Sequence, residues 1–141
     1  MGVSIYYTAR RERPLSAGEQ AEAAGIAAEE TRELFARLSR HMREWKEQGT
    51  VPPHIDDAQE ICEGLVLYDF GATDEPGVIL RGSSKLSHGE CGEEPMLMQV
   101  EYYAAVALGR LRLAVPGAEW DVHVDDMPLQ WQEEQGQYSF T

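Results

Sequence analysis

The apolar residues of this chain recur with two periods, and the changes from one to the other lay out its elements. Val3, Ile5 and Tyr7 alternate with Ser4, Tyr6 and Thr8, the period of a strand with one buried face, so a first strand is predicted over 3–9. Arg10, Arg11 and Arg13 close it before Pro14; this is the only strongly basic cluster, read as a solvated strand end. At Ser16 the period lengthens. Ser16-Ala-Gly-Glu19 has the form of a capping box, in which the serine hydroxyl and the glutamate each satisfy an amide of the first turn. Helical composition then runs to Glu47, but one helix of that length spans about 48 Å at 1.5 Å per residue, too long for a compact domain of this size. A short helix over 17–24, a break at Gly25 and a second helix over 27–47 are therefore predicted. The stripe of the second helix is Thr31, Leu34, Phe35, Leu38, Met42 and Trp45. Gln48-Gly49 ends it and Pro52-Pro53 forbids its resumption, leaving 48–60 as a connection.

Residues 61–70 contain the β-rich run Leu65 to Tyr68, a second strand, and 69–77 form a turn carrying Gly71, Asp74, Pro76 and Gly77. Val78 to Arg81 begins a third strand that extends through Gly82 to Leu86 and pairs with the second as a hairpin. After a loop from Ser87 to Glu94, Pro95 opens a helix with Glu93 and Glu94 at its positive end and Arg110 and Arg112 near the other. Its stripe is Leu97, Val100, Ala104, Ala107, Leu108, Leu111 and Val115, and Pro116-Gly117 ends it. Trp120, Val122 and Val124 then alternate strictly with Glu119, Asp121, His123 and Asp125, the most regular strand pattern in the chain. Beyond Pro128, Leu129 to Trp131 reads as a short strand or docked arm, and Gln135-Gly136 permits a turn before Tyr138 to Phe140. The order is β-α-β-β-α-β with an enlarged first crossover in a single domain over 1–141. Right-handed crossovers give an α+β, ferredoxin-like antiparallel sheet with the helices on one face and the other face open. The strand at 119–125 is expected at an edge beside the first strand, where acids also guard against strand-to-strand aggregation.

Charge narrows the function classes. The formal net charge is −13, and residues 1–50 are balanced, with eight basic and eight acidic side chains, whereas 51–141 hold four basic against seventeen acidic. Nucleic acid and anionic membrane are poor partners for that field, while a basic protein is steered to it. No run approaches the roughly 20 apolar residues of a membrane span, and no signal-peptide pattern opens the chain, so a cytoplasmic protein is expected. Two cysteines, Cys62 and Cys91, read as free thiols in a reducing compartment.

Four constellations carry candidate chemistry. The row Asp121, His123, Asp125 with Asp126 has metal-ligand types, but alternate residues on one strand face stand almost 7 Å apart and do not converge. His54, Cys62, His88 and Cys91 offer zinc-ligand types in which only the His88–Cys91 half has a tight spacing. Cys91 near His88, and Ser83-Ser84 before Lys85, are nucleophile types without an elbow motif or third group. Tyr6, Tyr68, Trp120 and Trp131 are strand aromatics suited to core packing or, where exposed, to anchoring a protein partner. No metal and no cofactor is assigned.

From Val115 through Asp126, a Pro-Gly-Ala-Glu-Trp-x-Val-x-Val-Asp-Asp strand followed by Pro128 and Trp131, and at Tyr6-Tyr7 with Leu15-Ser16, the chain resembles a group of small acidic bacterial proteins without an established activity. In size and acidity it is also similar, as a class, to the immunity proteins that neutralise bacterial toxins. The expectation is a non-enzymatic acidic binding protein that docks a basic protein partner, an immunity-type inhibitor of a toxin being one form. Its contact surface is Glu119, Asp121, His123, Asp125, Asp126 and Trp131. The alternatives are a small metal-dependent or thiol enzyme and a structural subunit that homo-oligomerises through its outer sheet face.

Overall fold

The computed structural model describes residues 3–70, 75–87 and 89–140. Its strands are β1 (Ser4–Arg10), β2 (Val66–Phe70), β3 (Val78–Lys85), β4 (Glu119–Val124), β5 (Met127–Gln132) and β6 (Gln137–Ser139). Its helices are α1 (Ala17–Glu47), α2 (Glu93–Tyr102) and α3 (Leu108–Ala114), the last two joined into one rod by a π-helical turn at Tyr103–Ala107. His88, and Gly71 and Asp74 of the expected turn, lie outside the described residues.

Helix α1 starts where the capping box requires. Ser16 Oγ accepts from the Glu19 amide at 3.1 Å, and Glu19 accepts in return from the Ser16 amide at 2.9 Å. Arg11 then ties that cap to the rest of the molecule. Its guanidinium reaches Glu19 at 2.8 Å and donates to the Pro14 and Pro116 carbonyls, with the two side chains only 6% and 17% exposed. The Arg11 hydrogen bond, and next the Ser16 amide, hold the Glu19 carboxyl down at about 2. The basic cluster is thus not a uniformly solvated strand end: Arg10 pairs with Glu75 at 3.2 Å and Arg11 is a nearly buried tie.

No break occurs at Gly25; α1 is one helix of 31 residues, about 46 Å long. A glycine costs a helix about 1 kcal/mol, less than the roughly 1.5–3 kcal/mol from burying one large aliphatic side chain such as Ile26 beside it. Length is no obstacle either, because the α2–α3 rod lies antiparallel alongside. Contacts at three levels fix that alignment: Glu30 with Arg110, Arg37 over the Tyr102 ring at 4.5 Å, and Trp45 Nε1 donating to Glu94 at 2.9 Å. The stripe read for the second rod needs one correction. Leu97 is 60% exposed, while Gln99, Tyr102 and Tyr103 are buried. The π turn adds a residue to one helical turn and so rotates the buried face, an irregularity that a 3.6-residue period does not anticipate.

The sheet is six-stranded and antiparallel throughout, in the order β2-β3-β1-β4-β5-β6. As expected, β2 and β3 pair and β4 lies beside β1. The edge expectation for β4 is overturned: it pairs with β1 from Arg10–Glu119 to Ile5–Val124, and with β5 from Val122–Leu129 to Val124–Met127. Asp125 and Asp126 make a two-residue hairpin there, with Asp125 at φ 47°, a left-handed position that aspartate tolerates. The C-terminal hairpin β5–β6 then folds onto the second rod. Trp131 and Tyr138 meet edge-to-face at 5.1 Å, and Arg112 lies over the Trp131 ring at 4.6 Å. Gly109 admits this packing, since a Cβ there comes within 3.3 Å of the Gly136 carbonyl.

Ile5, Tyr7 and Ala9 of β1 face the helices and join α1 and the second rod in one apolar cluster. Tyr7 pairs across to Gly82, and its ring fills the space where a side chain of β3 would be. Its hydroxyl thereby reaches β2, accepting from the Val66 amide at 2.9 Å and standing 2.9 Å from Ser84 Oγ. Ser84 donates to the Gly64 carbonyl at 2.6 Å, and Tyr103 donates to the Glu63 carbonyl at 3.0 Å. Gln99 completes the layer by donating to the Glu63 and Lys85 carbonyls and accepting from the Ser87 amide. These bonds tie the segment 63–66, at the entry to β2, to the end of β3, ahead of the register shift between Leu67 and Asp69.

Candidate functional site

The antiparallel pairings decide where the acidic side chains collect. The start of β1 lies with the ends of β3 and β4, because the Leu86 amide donates to the Val3 carbonyl and Asp125 takes the Ser4 amide at 3.2 Å. The segment before β2 joins them, with the Glu63 amide on the Lys85 carbonyl at 3.0 Å. Helix α1 ends there and α2 begins there, as the Trp45–Glu94 bond shows. One end of the molecule therefore gathers Asp56, Asp57, Glu60 and Glu63 from the connection after α1. To these it adds Glu90, Glu93 and Glu94 from the entry to α2, and Asp125 and Asp126 from the β4–β5 turn; all nine are exposed. The lysines at this end are Lys46, which pairs with Asp56 at 3.0 Å, and Lys85, whose backbone is bonded to Glu63; the His54 imidazole lies 3.4 Å from Glu90.

The surface read from sequence divides into three places. Asp125 and Asp126 belong to the acidic end, and Asp125 also has a structural task in closing the start of β1. Glu119, Asp121 and His123 stand instead on the open face of the sheet, opposite Arg10, Thr8 and Tyr6 of β1, with His123 stacked on Tyr6 at 5.1 Å. Trp131 clamps the C-terminal hairpin to α3. Trp120 packs against the core, whereas Tyr6 and Tyr68 are exposed.

The thiol and metal candidates come apart. Cys62 and Cys91 are buried and unbridged, and His54 is exposed beside Glu90. His88 is outside the described residues. Burial pushes the Cys62 thiol up to about 12, the neighbouring Cys91 adding to the effect, the reverse of what activates a nucleophile. Ser84 is fully buried in the Tyr7 layer. Among the described residues no group of three or more His, Cys, Asp or Glu side chains is arranged to hold a metal ion. No described helix is long and apolar enough to cross a membrane.

No protein-family model, curated protein or solved structure matches this chain.

Two features escaped the sequence reading. The first is the acidic end itself, whose members are separated by up to seventy positions and carry no common motif. The second is Glu30, buried on the inner face of α1, which accepts from the Tyr102 hydroxyl and from Arg110. Its position four residues before Leu34 on the apolar stripe was the available signal.

Proposed function

We propose that this chain is a non-enzymatic binding protein whose acidic end docks a basic protein partner, with an immunity-type inhibitor of a bacterial toxin as the form that suits its size and charge. The observation that carries the reading is the gathering of nine exposed carboxylates from three separate segments onto one end of the fold. Such a field steers a basic surface and raises its rate of encounter. The buried thiols, Cys62 with its pKa raised, weigh against the thiol form of the enzymatic alternative. We read the order β2-β3-β1-β4, with both helical rods on one side, as a ferredoxin-like arrangement extended by the C-terminal hairpin. Unbridged cysteines accord with a cytoplasmic location.

The test is capture of basic partners at low salt, followed by binding kinetics with the captured protein. Glu60→Gln, Glu93→Gln and Asp126→Asn combined should slow association about tenfold and flatten its salt dependence. Glu119→Gln with Asp121→Asn should leave both nearly unchanged. Association rates indifferent to the first set would defeat the proposal.

A further inference from the structure

Beside Tyr102, the two antiparallel rods border a groove of about 430 Å³, within the roughly 300–1,000 Å³ of small-molecule sites. One wall is the α1 face that carries Arg37, Arg40 and His41, which a helix sets on one side at spacings of three and four. The other wall belongs to the second rod, with Met98 and Glu101 from α2 and Ala105 and Val106 from the π turn, a feature that recurs at functional sites. Ala105 and Val106 are both exposed there. Helices pack with their axes ~8–10 Å apart, so both walls are within reach of one small molecule.

The charged side chains of the groove are held in place and only partly engaged. Arg37 donates through Nε to Glu33 at 3.1 Å, and its guanidinium lies 4.5 Å over the Tyr102 ring, whose hydroxyl is tied to the buried Glu30. Its two Nη groups make no hydrogen bond among the described residues. Arg40 stands 4.0 Å from the same Glu33 carboxylate, beyond hydrogen-bonding distance, and its side chain is 66% exposed. The His41 ring is stacked on Trp45 at 5.3 Å. On the opposite wall, Glu101 makes no hydrogen bond or ion pair among the described residues. Two guanidinium groups thus face Glu33 and Glu101, so the groove is balanced in charge and is not a basic patch. What it offers is placed donors on one wall, and an acceptor beside an apolar surface on the other.

We propose that this groove binds a free α-amino acid with a large apolar side chain. The ligand carboxylate takes the Nη edge of Arg37 and the Arg40 guanidinium, charge-assisted donors whose planar forks suit it. The ligand ammonium goes to Glu101. The side chain lies on Ala105, Val106 and Met98, whose thioether adapts to aromatic and aliphatic groups alike. An α-carbon carries all three chemistries at one point, which matches walls that differ in the same three ways. Charge selects the zwitterion. A chain of net charge −13 repels a simple anion at long range, and a simple cation meets two guanidinium groups on arrival. A zwitterion crosses the field without repulsion and has a partner on each wall. None of these residues belongs to the acidic end, so the site stands or falls independently of the partner proposed above.

Amide NMR spectra of the full chain, titrated with L-phenylalanine and with L-leucine up to about 10 mM, test it, and a dissociation constant below about 1 mM is expected for at least one of them. The shifts should saturate and centre on 37–41 and 98–106. Phenylalaninamide and leucinamide lack the carboxylate, and 3-phenylpropionate and 4-methylpentanoate lack the ammonium; each should bind at least about tenfold more weakly than its parent, the loss expected of a hydrogen bond between charged groups. Arg40→Gln and Glu101→Gln, both at exposed positions, should each cost about the same factor. Ala105→Trp fills the groove and should abolish binding; thermal melting checks that each variant is folded, and the two polar variants carry the test if the tryptophan disturbs the π turn. Neither amino acid shifting these residues, an amide or acid analogue binding as tightly as its parent, or either polar variant binding as wild type overturns the proposal.

Discussion

Replacing Tyr7 by Phe removes one atom from the centre of the buried polar layer, and the structure sets the cost. The ring fits unchanged over Gly82, so no cavity opens. What is lost is the acceptor for the Val66 amide at 2.9 Å, the donor to the Val66 carbonyl at 2.9 Å and a partner for Ser84 at 2.9 Å. Ser84 keeps its bond to the Gly64 carbonyl. The Val66 amide and carbonyl both lose this part-buried partner, and a buried polar group left unsatisfied costs about 1–3 kcal/mol. A destabilisation of about 2 kcal/mol is expected, or roughly 6 °C in Tm at about 3 °C per kcal/mol for a chain of this length. Tyr103→Phe is the control. The Glu63 carbonyl that Tyr103 meets also receives Gln99 Nε2 at 3.1 Å, so about 1 kcal/mol, the ordinary net worth of a hydrogen bond, is expected there. Urea titrations with an unchanged slope measure both, and amide hydrogen exchange should show Val66 alone losing protection in the first variant. A Tyr7→Phe protein within about 0.5 kcal/mol of wild type, or less affected than Tyr103→Phe, refutes the reasoning, since measured differences of that size are indistinguishable from those of neutral surface changes.

Four further outcomes follow from the same geometry. Gly25→Ala should stabilise α1 by about 0.5–1 kcal/mol, because no atom lies within 4 Å of the added Cβ; a loss in thermal melting would restore the case for a break there. The Glu19 carboxyl, held at about 2 by Arg11, contributes stability that is present above its unfolded value near 4.3 and lost as pH falls through about 2. The gap between wild type and Glu19→Gln should therefore be open at pH 7 and nearly closed at pH 2 in denaturant titrations. Cys62, raised to about 12, and Tyr7 and Tyr103, raised by burial above their ordinary range, act in the opposite direction. Their contribution is present below the unfolded values, about 8.5 for a thiol and 10 for a phenol, and is lost as pH rises from there towards the folded values. Urea midpoints measured from pH 8 to 11 should fall ever more steeply, and a flat profile would contradict the burial. Both cysteines should resist a thiol reagent in the native protein and react within minutes in urea; rapid native labelling would show that they are not enclosed.

The strands and helices were legible where one periodic pattern had one burial environment. Ser16 and Glu19 announced α1, and Trp120, Val122 and Val124 announced β4, because capping and alternation are local properties of the chain. Gly25 misled because a local penalty was weighed without the neighbouring rod that stabilises a long helix along its length. The place of β4 in the sheet was misread for a similar reason: Asp125-Asp126 lacks the glycine that marks most two-residue hairpins, so the return of β5 left no sign. Leu97 was misassigned because the π turn rotates the buried face within a continuous helix. Among the candidate site residues, Asp125 and Asp126 were visible as an acidic pair, but their neighbours Glu60 and Glu93 join them only through strand pairings between distant parts of the chain.

The central position of β1 has a consequence for how the protein comes into being. Strand β1, made before the other five, is flanked by β3 and β4, whose paired residues run from Val78 to Lys85 and from Glu119 to Val124. At about 5–20 residues per second, on the order of 4–16 s pass between the making of Ile5 and that of its first neighbour across the sheet, Ser84, and about half as long again before Val124 emerges. Throughout that interval a β-branched and aromatic segment waits with both of its hydrogen-bonding edges unoccupied. Mispairing is therefore open to β1 until β3 and β4 have been made, and a chaperone that shelters residues 4–10 during synthesis should raise the yield of this fold more than one acting after β4 has paired.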